Sequence, residues 1–178
     1  YYTDLLSVSI NPLVEMVYTF LIDQMKDGGL ILHACGTVNN GQGYIFAAES
    51  GGGKSTIGKI ALNSGKVLLN DDRIIVREVK NWLMAFGNPW HGDVSWVDPV
   101  GARLTKIFFL RKGKRNSLRK VSPTSSAIKL LSNAFYFPIN FAARKNIFNR
   151  CADLAMKIPA YELTFYPDER IWKDIERG

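Results

Sequence analysis

Segment 48–55, with the sequence AESGGGKS, constrains the fold of this chain more than any other stretch. It fits the phosphate-binding loop pattern, with Ala48 in place of the usual first glycine. A strand-like apolar segment precedes it at 43–47, and a helix-like segment follows at 56–62. Glycines let successive backbone N–H groups turn inward around phosphate oxygens, and a helix start adds partial positive charge. The pattern predicts a strand, a nucleotide-binding loop and a helix in succession.

The residue types in this segment suit specific tasks on a nucleotide. Lys54 can reach the β- and γ-phosphates, and the Ser55 hydroxyl can hold Mg²⁺. The predicted nucleotide-binding residues are Glu49, Ser50, Gly51, Gly52, Gly53, Lys54, Ser55 and Thr56. The alternative interpretation is a glycine-rich turn that merely precedes a helix.

Two adjacent carboxylates follow closely, since Asp71 and Asp72 come sixteen and seventeen residues after Ser55. One helix and one short strand, predicted at 66–69, separate them from the loop. That path returns the chain to the same edge of the sheet, where carboxylates can hold Mg²⁺ and position or deprotonate an acceptor hydroxyl. The alternative is an Asx-type turn at the end of a strand.

Two further features carry open alternatives. His33 lies in an apolar strand predicted at 30–34, either as a hydrogen-bonded core residue or as part of a catalytic site. Segment 88–93, with the sequence NPWHGD, is either a lid over an active site or a tight connection with a packed tryptophan.

The remaining periodicity predicts an α/β chain with a mixed sheet and with helices concentrated late. The turn signal Asn39-Asn40-Gly41 predicts a hairpin into the loop strand, and a second hairpin is expected to turn near Lys80-Asn81. Predicted helices span 12–26, 56–62, 123–131, 142–156 and 168–176. Predicted strands span 30–34, 43–47, 66–69, 74–77, 82–86, 104–110 and 160–165.

The composition predicts one soluble globular domain over residues 1–178, since 47% of residues are apolar and 22% charged. No apolar run approaches the ~20 residues of a membrane span. Cys35 and Cys151 lie far apart in apolar surroundings, so they form neither a disulfide framework nor a metal site, and they fit a reducing cytosol. We therefore expect a cytoplasmic protein, and an assembly of identical chains is compatible with the sequence.

The positive charge is local. Eight basic residues and no acidic residue lie between Arg103 and Lys120, whereas the whole chain carries +7, so the rest carries −1. A solvated loop is one interpretation, and a surface for an acidic acceptor, anionic lipid or nucleic acid is the other. Nucleic acid is disfavoured, because 111–116 contains no aromatic residue and Phe108 and Phe109 are expected to be buried.

Several of these features together resemble the catalytic domain of HPr kinase/phosphorylase and, more closely, the small kinases related to it. They are His33 after an apolar run, a glycine before a strand, segment 48–55, and the sequence LLNDD at 68–72. Segments 107–110, 121–123 and 158–163 resemble the same group, so the similarity covers nearly the whole chain. The resemblance implies the phosphoenolpyruvate-carboxykinase-like α/β fold, in which a mixed sheet carries the phosphate loop and helices follow. It also implies ATP, Mg²⁺, and a serine or other hydroxyl as acceptor.

The resemblance also implies roles by position. Lys54 would bind phosphates, Asp72 would accept the proton, and Asp71 and His33 would complete the catalytic site. The predicted metal ligands are Ser55, Asp71 and Asp93. Asp93 stands near the place of the Glu-Ile-Arg-Gly segment of HPr kinases, which has no counterpart here. Arg144 and Arg150 are the candidates for a catalytic arginine.

The sequence thus predicts a Mg²⁺-ATP-dependent kinase whose acceptor is a hydroxyl of a protein, a peptide or a small metabolite. One alternative is a nucleotide-sensing module without kinase activity. Another is an unrelated P-loop ATPase or nucleotide kinase, against which the closeness of Asp71 and Asp72 to the loop argues.

Overall fold

The structure is a computed structural model, and it describes residues 17, 19, 22, 28–88, 92–94, 98, 100–136 and 141–177. The strands are β1 (Leu30–Asn39), β2 (Gln42–Ala47), β3 (Val67–Asn70), β4 (Arg73–Val79), β5 (Trp82–Phe86), β6 (Gly101–Lys112), β7 (Ser117–Val121), β8 (Ala134–Phe135) and β9 (Ala160–Phe165). The helices are α1 (Lys54–Asn63), α2 (Pro123–Ser132), α3 (Phe141–Lys157) and α4 (Ile171–Arg177).

These strands form one mixed sheet with the order β2-β1-β4-β5-β6-β9-β7, while β3 and β8 pair with β1. Pairing is antiparallel except between β2 and β6 and between β6 and β9. Because β2 pairs with both β1 and β6, the strands β2-β1-β4-β5-β6 close into a ring. The predicted α/β chain with a mixed sheet is confirmed.

Two hairpins have the turns that the sequence predicts. Asn40 and Gly41 have φ values of 51° and 74°, and they join Asn39 to its partner Gln42. Lys80 and Asn81 have φ values of 49° and 68° between Val79 and its partner Trp82. Two-residue turns with both φ values positive match the right-handed twist of the strands that they join.

The apolar core lies on both faces of the sheet. Residues alternate in β6, so that Ile107 and Phe109 pack toward α2 and α3, whereas Phe108 and Leu110 pack toward α1 and α4. Phe108 and Phe109 are both buried, as expected from the sequence.

Some elements differ from the predictions. Strand β1 continues to Asn39, α1 begins at Lys54, and the two-residue strand β8 was not predicted. Segment 117–121 was assigned to a basic loop but forms β7, which pairs antiparallel with β9. The sequence of β7 lacks the apolar alternation of a buried strand, because β7 is an edge strand with largely exposed side chains.

Parts of two predictions lie outside the described residues. Most of the predicted first helix does so, although Val17, Thr19 and Ile22 are helical, and Ile22 packs with Ile31 and Ile75. Residues 89–91 of the predicted lid or connection also lie outside the described part.

Both cysteines are free and buried, as expected, and burial raises the pKa of Cys151 to about 12. In the part of the chain that the structure describes, no helix has both the length and the apolar character that crossing a membrane demands.

The core predicts a large effect for Phe108→Ala. The Phe108 ring is fully buried and stacks on Phe46 and Tyr161, with ring centroids 5.1 and 5.7 Å apart. Its removal is expected to lower the free energy of unfolding by about 3–5 kcal/mol. Phe148→Ala, on an exposed site of α3, is the control and should change it by less than about 0.5 kcal/mol. Equal urea midpoints for the two variants would contradict this packing.

Candidate functional site

The loop between β2 and α1, residues 48–53, is called the glycine loop below. Gly51 and Gly53 have φ values of 72° and 107°, which favour glycine. A Cβ on Gly53 would also lie 2.7 Å from Cζ of Phe165. Both constraints explain why the sequence has glycine at these positions.

At the start of α1, backbone N–H groups have no partner in the helix and lie beside the cavity described below. Gly53 provides no side-chain cap, and the first helical bond runs from the Ile57 N–H to the Gly53 carbonyl. The N–H groups of residues 54–56 therefore have no acceptor within the helix. Such groups, together with the helix dipole, suit an anion such as phosphate.

Lys54 lies over the glycine loop. Its side chain is buried, and Nζ donates to the carbonyls of Ala48 and Glu49 at 3.0 and 3.2 Å. Burial lowers the pKa of Lys54, whereas Asp72 and Asp71 nearby act in the opposite direction. The ammonium is thus held between loop carbonyls and the carboxylates that follow β3.

Those carboxylates are presented by a turn that Asn70 builds. The Asn70 Oδ1 atom accepts hydrogen bonds from the N–H groups of Asp72 and Arg73 at 2.8 and 2.9 Å. This is an Asx-type turn, but the asparagine makes it, not the aspartates. Both aspartate side chains therefore remain available for other contacts.

Asp71 holds the segment that carries Asp93. Its carboxylate oxygens accept from the Gly92 N–H at 2.7 Å and from the Val94 N–H at 3.1 Å. Asp71 is almost fully buried, and its bond with the Val94 N–H is buried, whereas its bond with the exposed Gly92 is partly buried. Asp93 lies between Gly92 and Val94 in the sequence, and its Oδ2 atom accepts a hydrogen bond from Ser55 Oγ at 3.1 Å.

Ser55 and Asp93 offer oxygen ligands at the mouth of the cavity. Among the described residues, no group of three or more His, Cys, Asp and Glu side chains is placed to hold a metal ion. Mg²⁺ commonly uses one or two protein carboxylates together with water and phosphate oxygens. The oxygens of Ser55 and Asp93 fit such an ion better than a metal that needs a full protein cage, whereas both carboxylate oxygens of Asp71, also a predicted ligand, are bonded to Gly92 and Val94.

The Asp72 carboxylate contacts the imidazole of His33 and the guanidinium of Arg73. Its Oδ1 atom lies 3.2 Å from His33 Nε2, and its Oδ2 atom lies 3.4 Å from Arg73 Nη1. The hydrogen bond with His33 is the main cause that lowers the pKa of Asp72; burial opposes it, and Arg73 adds to the lowering. Asp72 is therefore a fixed, ionised acceptor at neutral pH.

Phe135 of β8 packs beside His33 and Arg73. The rings of His33 and Phe135 meet edge to face with centroids 6.0 Å apart, and the Arg73 guanidinium lies 5.2 Å from the centroid of Phe135. His33 is thus neither a core residue nor isolated, because its ring lies at the boundary between the sheet and the cavity.

One cavity of about 300 Å³ lies among these groups, although Arg73 and Phe135 are not part of its lining. The lining residues are His33, Ser50, Gly51, Gly53, Lys54, Ser55, Thr56, Asp71, Asp72, Gly92 and Asp93. Of the predicted nucleotide-binding residues, Glu49 and Gly52 are not among them, and the Glu49 carbonyl accepts from the N–H of Gly52 and from Lys54.

Neither candidate arginine lines this cavity. Arg150 donates to the Gly29 carbonyl at 3.0 Å and lines a different cavity, and Arg144 is exposed on α3. Arg73, which sequence reasoning missed, is the arginine beside Asp72. Its position directly after the aspartate pair was the available signal.

The site predicts a structural role for Asp71 that can be measured. In Asp71→Asn an amide NH₂ replaces one acceptor oxygen, so the Gly92 or Val94 N–H loses its partner, at a cost of about 1–3 kcal/mol in unfolding free energy. Both amides should exchange hydrogen faster. Asp153→Asn, an exposed change on α3, is the matched control. Unchanged exchange at residues 92 and 94 would show that Asp71 does not hold this segment.

The comparisons with known proteins give one family. None of the curated proteins matches the chain. Among solved structures, the Hpr(Ser) kinase/phosphatase from Coxiella burnetii is similar at 13% identity with a TM-score of 0.49, over 83% of this chain and 90% of that chain. A likeness at this level identifies neither fold nor activity. Residues 2–178 match the model of the SynChlorMet cassette protein ScmC, so the chain belongs to the ScmC family.

Proposed function

We propose that this protein is a Mg²⁺-ATP-dependent phosphotransferase that transfers the γ-phosphoryl group to a hydroxyl of a protein, a peptide or a small metabolite. The observation that carries the proposal is the convergence of three kinds of group on one cavity. A glycine loop with Lys54 suits phosphates, the Ser55–Asp93 pair suits Mg²⁺, and Asp72 suits an acceptor hydroxyl.

The phosphates of ATP would lie against the glycine loop and the start of α1. The backbone N–H groups there donate to phosphate oxygens, and Lys54 exchanges its two carbonyl contacts for the β- and γ-phosphates. Ser55 and Asp93 would hold Mg²⁺, which when bound neutralises charge on the phosphates. Asp71 keeps Asp93 in place through Gly92 and Val94.

Asp72 would orient the acceptor and take its proton. The acceptor oxygen attacks the γ-phosphorus, the bond to the β-phosphate oxygen breaks, and ADP leaves. The lowered pKa makes Asp72 a weak base, which suffices because the transition state is loose and needs little deprotonation beforehand. His33 and Arg73 fix both carboxylate oxygens, so the hydroxyl meets an acceptor that needs no reorganisation.

The groups around Asp72 favour transfer over simple nucleotide binding. A nucleotide-sensing module needs the glycine loop, Lys54 and a metal ligand, but not a carboxylate fixed on both oxygens beside the phosphate position. The resemblance to HPr kinases, which lies in the sequence motifs, agrees with this proposal.

Lys54→Met should abolish measurable binding of Mg²⁺-ATP, because it removes the ammonium and keeps the length of the side chain. Lys59→Met is the matched control, since Lys59 is an exposed lysine on the same helix. Titration calorimetry should give wild-type affinity for the control. If Lys54→Met binds Mg²⁺-ATP as tightly as the control does, the glycine loop is not a nucleotide site.

Asp72→Asn should separate binding from chemistry. The amide keeps the shape but cannot accept the proton, so ATP turnover with water as acceptor should fall about 10²–10⁴-fold. Affinity for Mg²⁺-ATP should remain within about twofold, because Asp72 contacts the acceptor and not the phosphates. Turnover equal to wild type would place the proton acceptor elsewhere. Binding without any turnover in the wild type, with every acceptor class tried, would favour the nucleotide-sensing alternative.

A further inference from the structure

We propose that a basic surface at the end of the sheet that carries the glycine loop docks an acidic polypeptide segment with the acceptor hydroxyl. This surface, called the basic edge, consists of Arg111, Lys112, Lys114, Arg115, Arg119 and Lys120. The role as acceptor rests on the proposed function, whereas the docking itself can be measured without any chemistry.

The structure sorts the eight basic residues of segment 103–120 into two groups. Arg103 and Lys106 are engaged elsewhere. The Arg103 guanidinium lies 3.3 Å from the centroid of the Trp82 ring, and Lys106 Nζ donates to the carbonyls of Ile175 and Glu176 at 3.0 and 3.4 Å. The other six remain within ten consecutive residues, among which the sequence has no acidic residue.

The basic edge begins where the glycine loop begins. Strands β2, β6 and β9 are parallel, and Ala47 at the end of β2 pairs with Phe109 of β6. β2 then enters the glycine loop, whereas β6 continues for three residues to Lys112. Lys112 pairs with Phe165, whose ring lies against Gly53. The end of β6 therefore lies at the same end of the sheet as the cavity, whereas Arg111 and Arg119 meet Glu162 on the face of the sheet that carries Lys129 of α2.

One buried carboxylate orders part of the surface. Glu162 Oε1 lies 3.1 Å from Arg111 Nη1 and 3.2 Å from Arg119 Nη2, and its Oε2 lies 3.9 Å from Lys129 Nζ. Burial raises the pKa of Glu162, but the hydrogen bonds from the two arginines outweigh it and hold the pKa below its usual range. One negative charge thus faces three positive charges, which leaves a net positive surface.

The two arginines stay accessible although they are ordered. The side chains of Arg111 and Arg119 are 67% and 75% exposed while each shares Glu162. An ordered guanidinium loses less conformational freedom when it binds a carboxylate, and its planar donors suit bidentate pairing. The surface is therefore better suited to acidic side chains than a disordered charge cluster would be.

An acidic polypeptide fits this surface better than nucleic acid does. Binding of single strands relies on successive stacking aromatics beside the basic groups. Phe108 and Phe109 are buried. Among the described residues, Tyr166 is an exposed aromatic beside residues 113–116, which join β6 to β7 and are called the basic turn, because its N–H donates to Asn116 Oδ1 at 2.9 Å. One aromatic supports stacking of a single base and not of a strand.

The test measures binding of a fluorescent peptide made of glutamate and serine, with a glutamine–serine peptide as the uncharged comparison. Lys114→Glu/Arg115→Glu reverses two exposed charges in the turn that do not contact Glu162. Lys145→Glu/Lys173→Glu is the matched control, since it makes the same change in net charge at exposed sites of α3 and α4. Fluorescence anisotropy in low and high salt gives Kd, because docking by charge must weaken as salt screens it.

Docking predicts that the turn variant binds the acidic peptide at least about tenfold more weakly than wild type, whereas the control stays within about twofold. In phosphorylation of the peptide, the turn variant should raise KM about tenfold and leave kcat unchanged. Peptide binding without phosphate transfer in the wild type would count against the acceptor role and leave the docking surface in place.

Two results would overturn the docking surface. One is equal loss of peptide binding in the turn variant and in the control, which would show a response to net charge and not to this edge. The other is tighter binding of oligo(dT) than of the acidic peptide, lost in Tyr166→Ala and in the turn variant, which would make the surface one for nucleic acid.

Discussion

The parallel pairing of β2 with β6 is the contact on which the arrangement of the site depends. Parallel neighbours cannot be joined by a tight turn, so the chain between them must make a long crossover. Here that crossover contains α1, β3, β4 and β5, and it brings the Asn70 turn back beside the glycine loop. The same pairing closes the ring of strands and stacks Phe46 on Phe108 beneath α1. The pairing of β2 with β6 thus brings the glycine loop and the Asn70 turn to the same end of the sheet.

A single amide side chain organises three carboxylates. Asn70 satisfies the backbone of the turn, so Asp71 and Asp72 do not have to do so. Asp71 then anchors the segment around Asp93, and Asp72 meets His33 and Arg73. Three carboxylates near one cavity repel one another, and separate donors offset this repulsion. Backbone N–H groups donate to Asp71, His33 of β1 and Arg73 of β4 contact Asp72, and the Ser55 hydroxyl donates to Asp93.

Local signals in the sequence predicted more of the fold than of the contacts between distant residues. The Asn40-Gly41 turn and the glycine loop follow from the conformations that those residue types allow, and short-range periodicity predicted most strands and the late helices. The edge strand β7 was missed, because its charged side chains hide the strand and its partner β9 lies about forty residues away. Arg73 was also missed, since its position next to Asp72 brings the two residues close but does not fix where the guanidinium points, which the tertiary structure shows. Ser55 and Asp93 were expected to lie together only through the resemblance, which gave both as metal ligands, because their separation in the chain gives no periodic signal.

Phe165 has a consequence that extends beyond packing. Its carbonyl accepts from the Gly113 N–H in the basic turn at 3.1 Å, and its ring closes against Gly53 of the glycine loop. One nearly buried residue therefore touches both surfaces that the proposals assign to different ligands. If binding at one of these surfaces shifts Phe165, the two ligands are coupled in free energy, and such coupling is reciprocal. A polypeptide that raises nucleotide affinity in this way would have its own affinity raised by the same factor when the nucleotide binds.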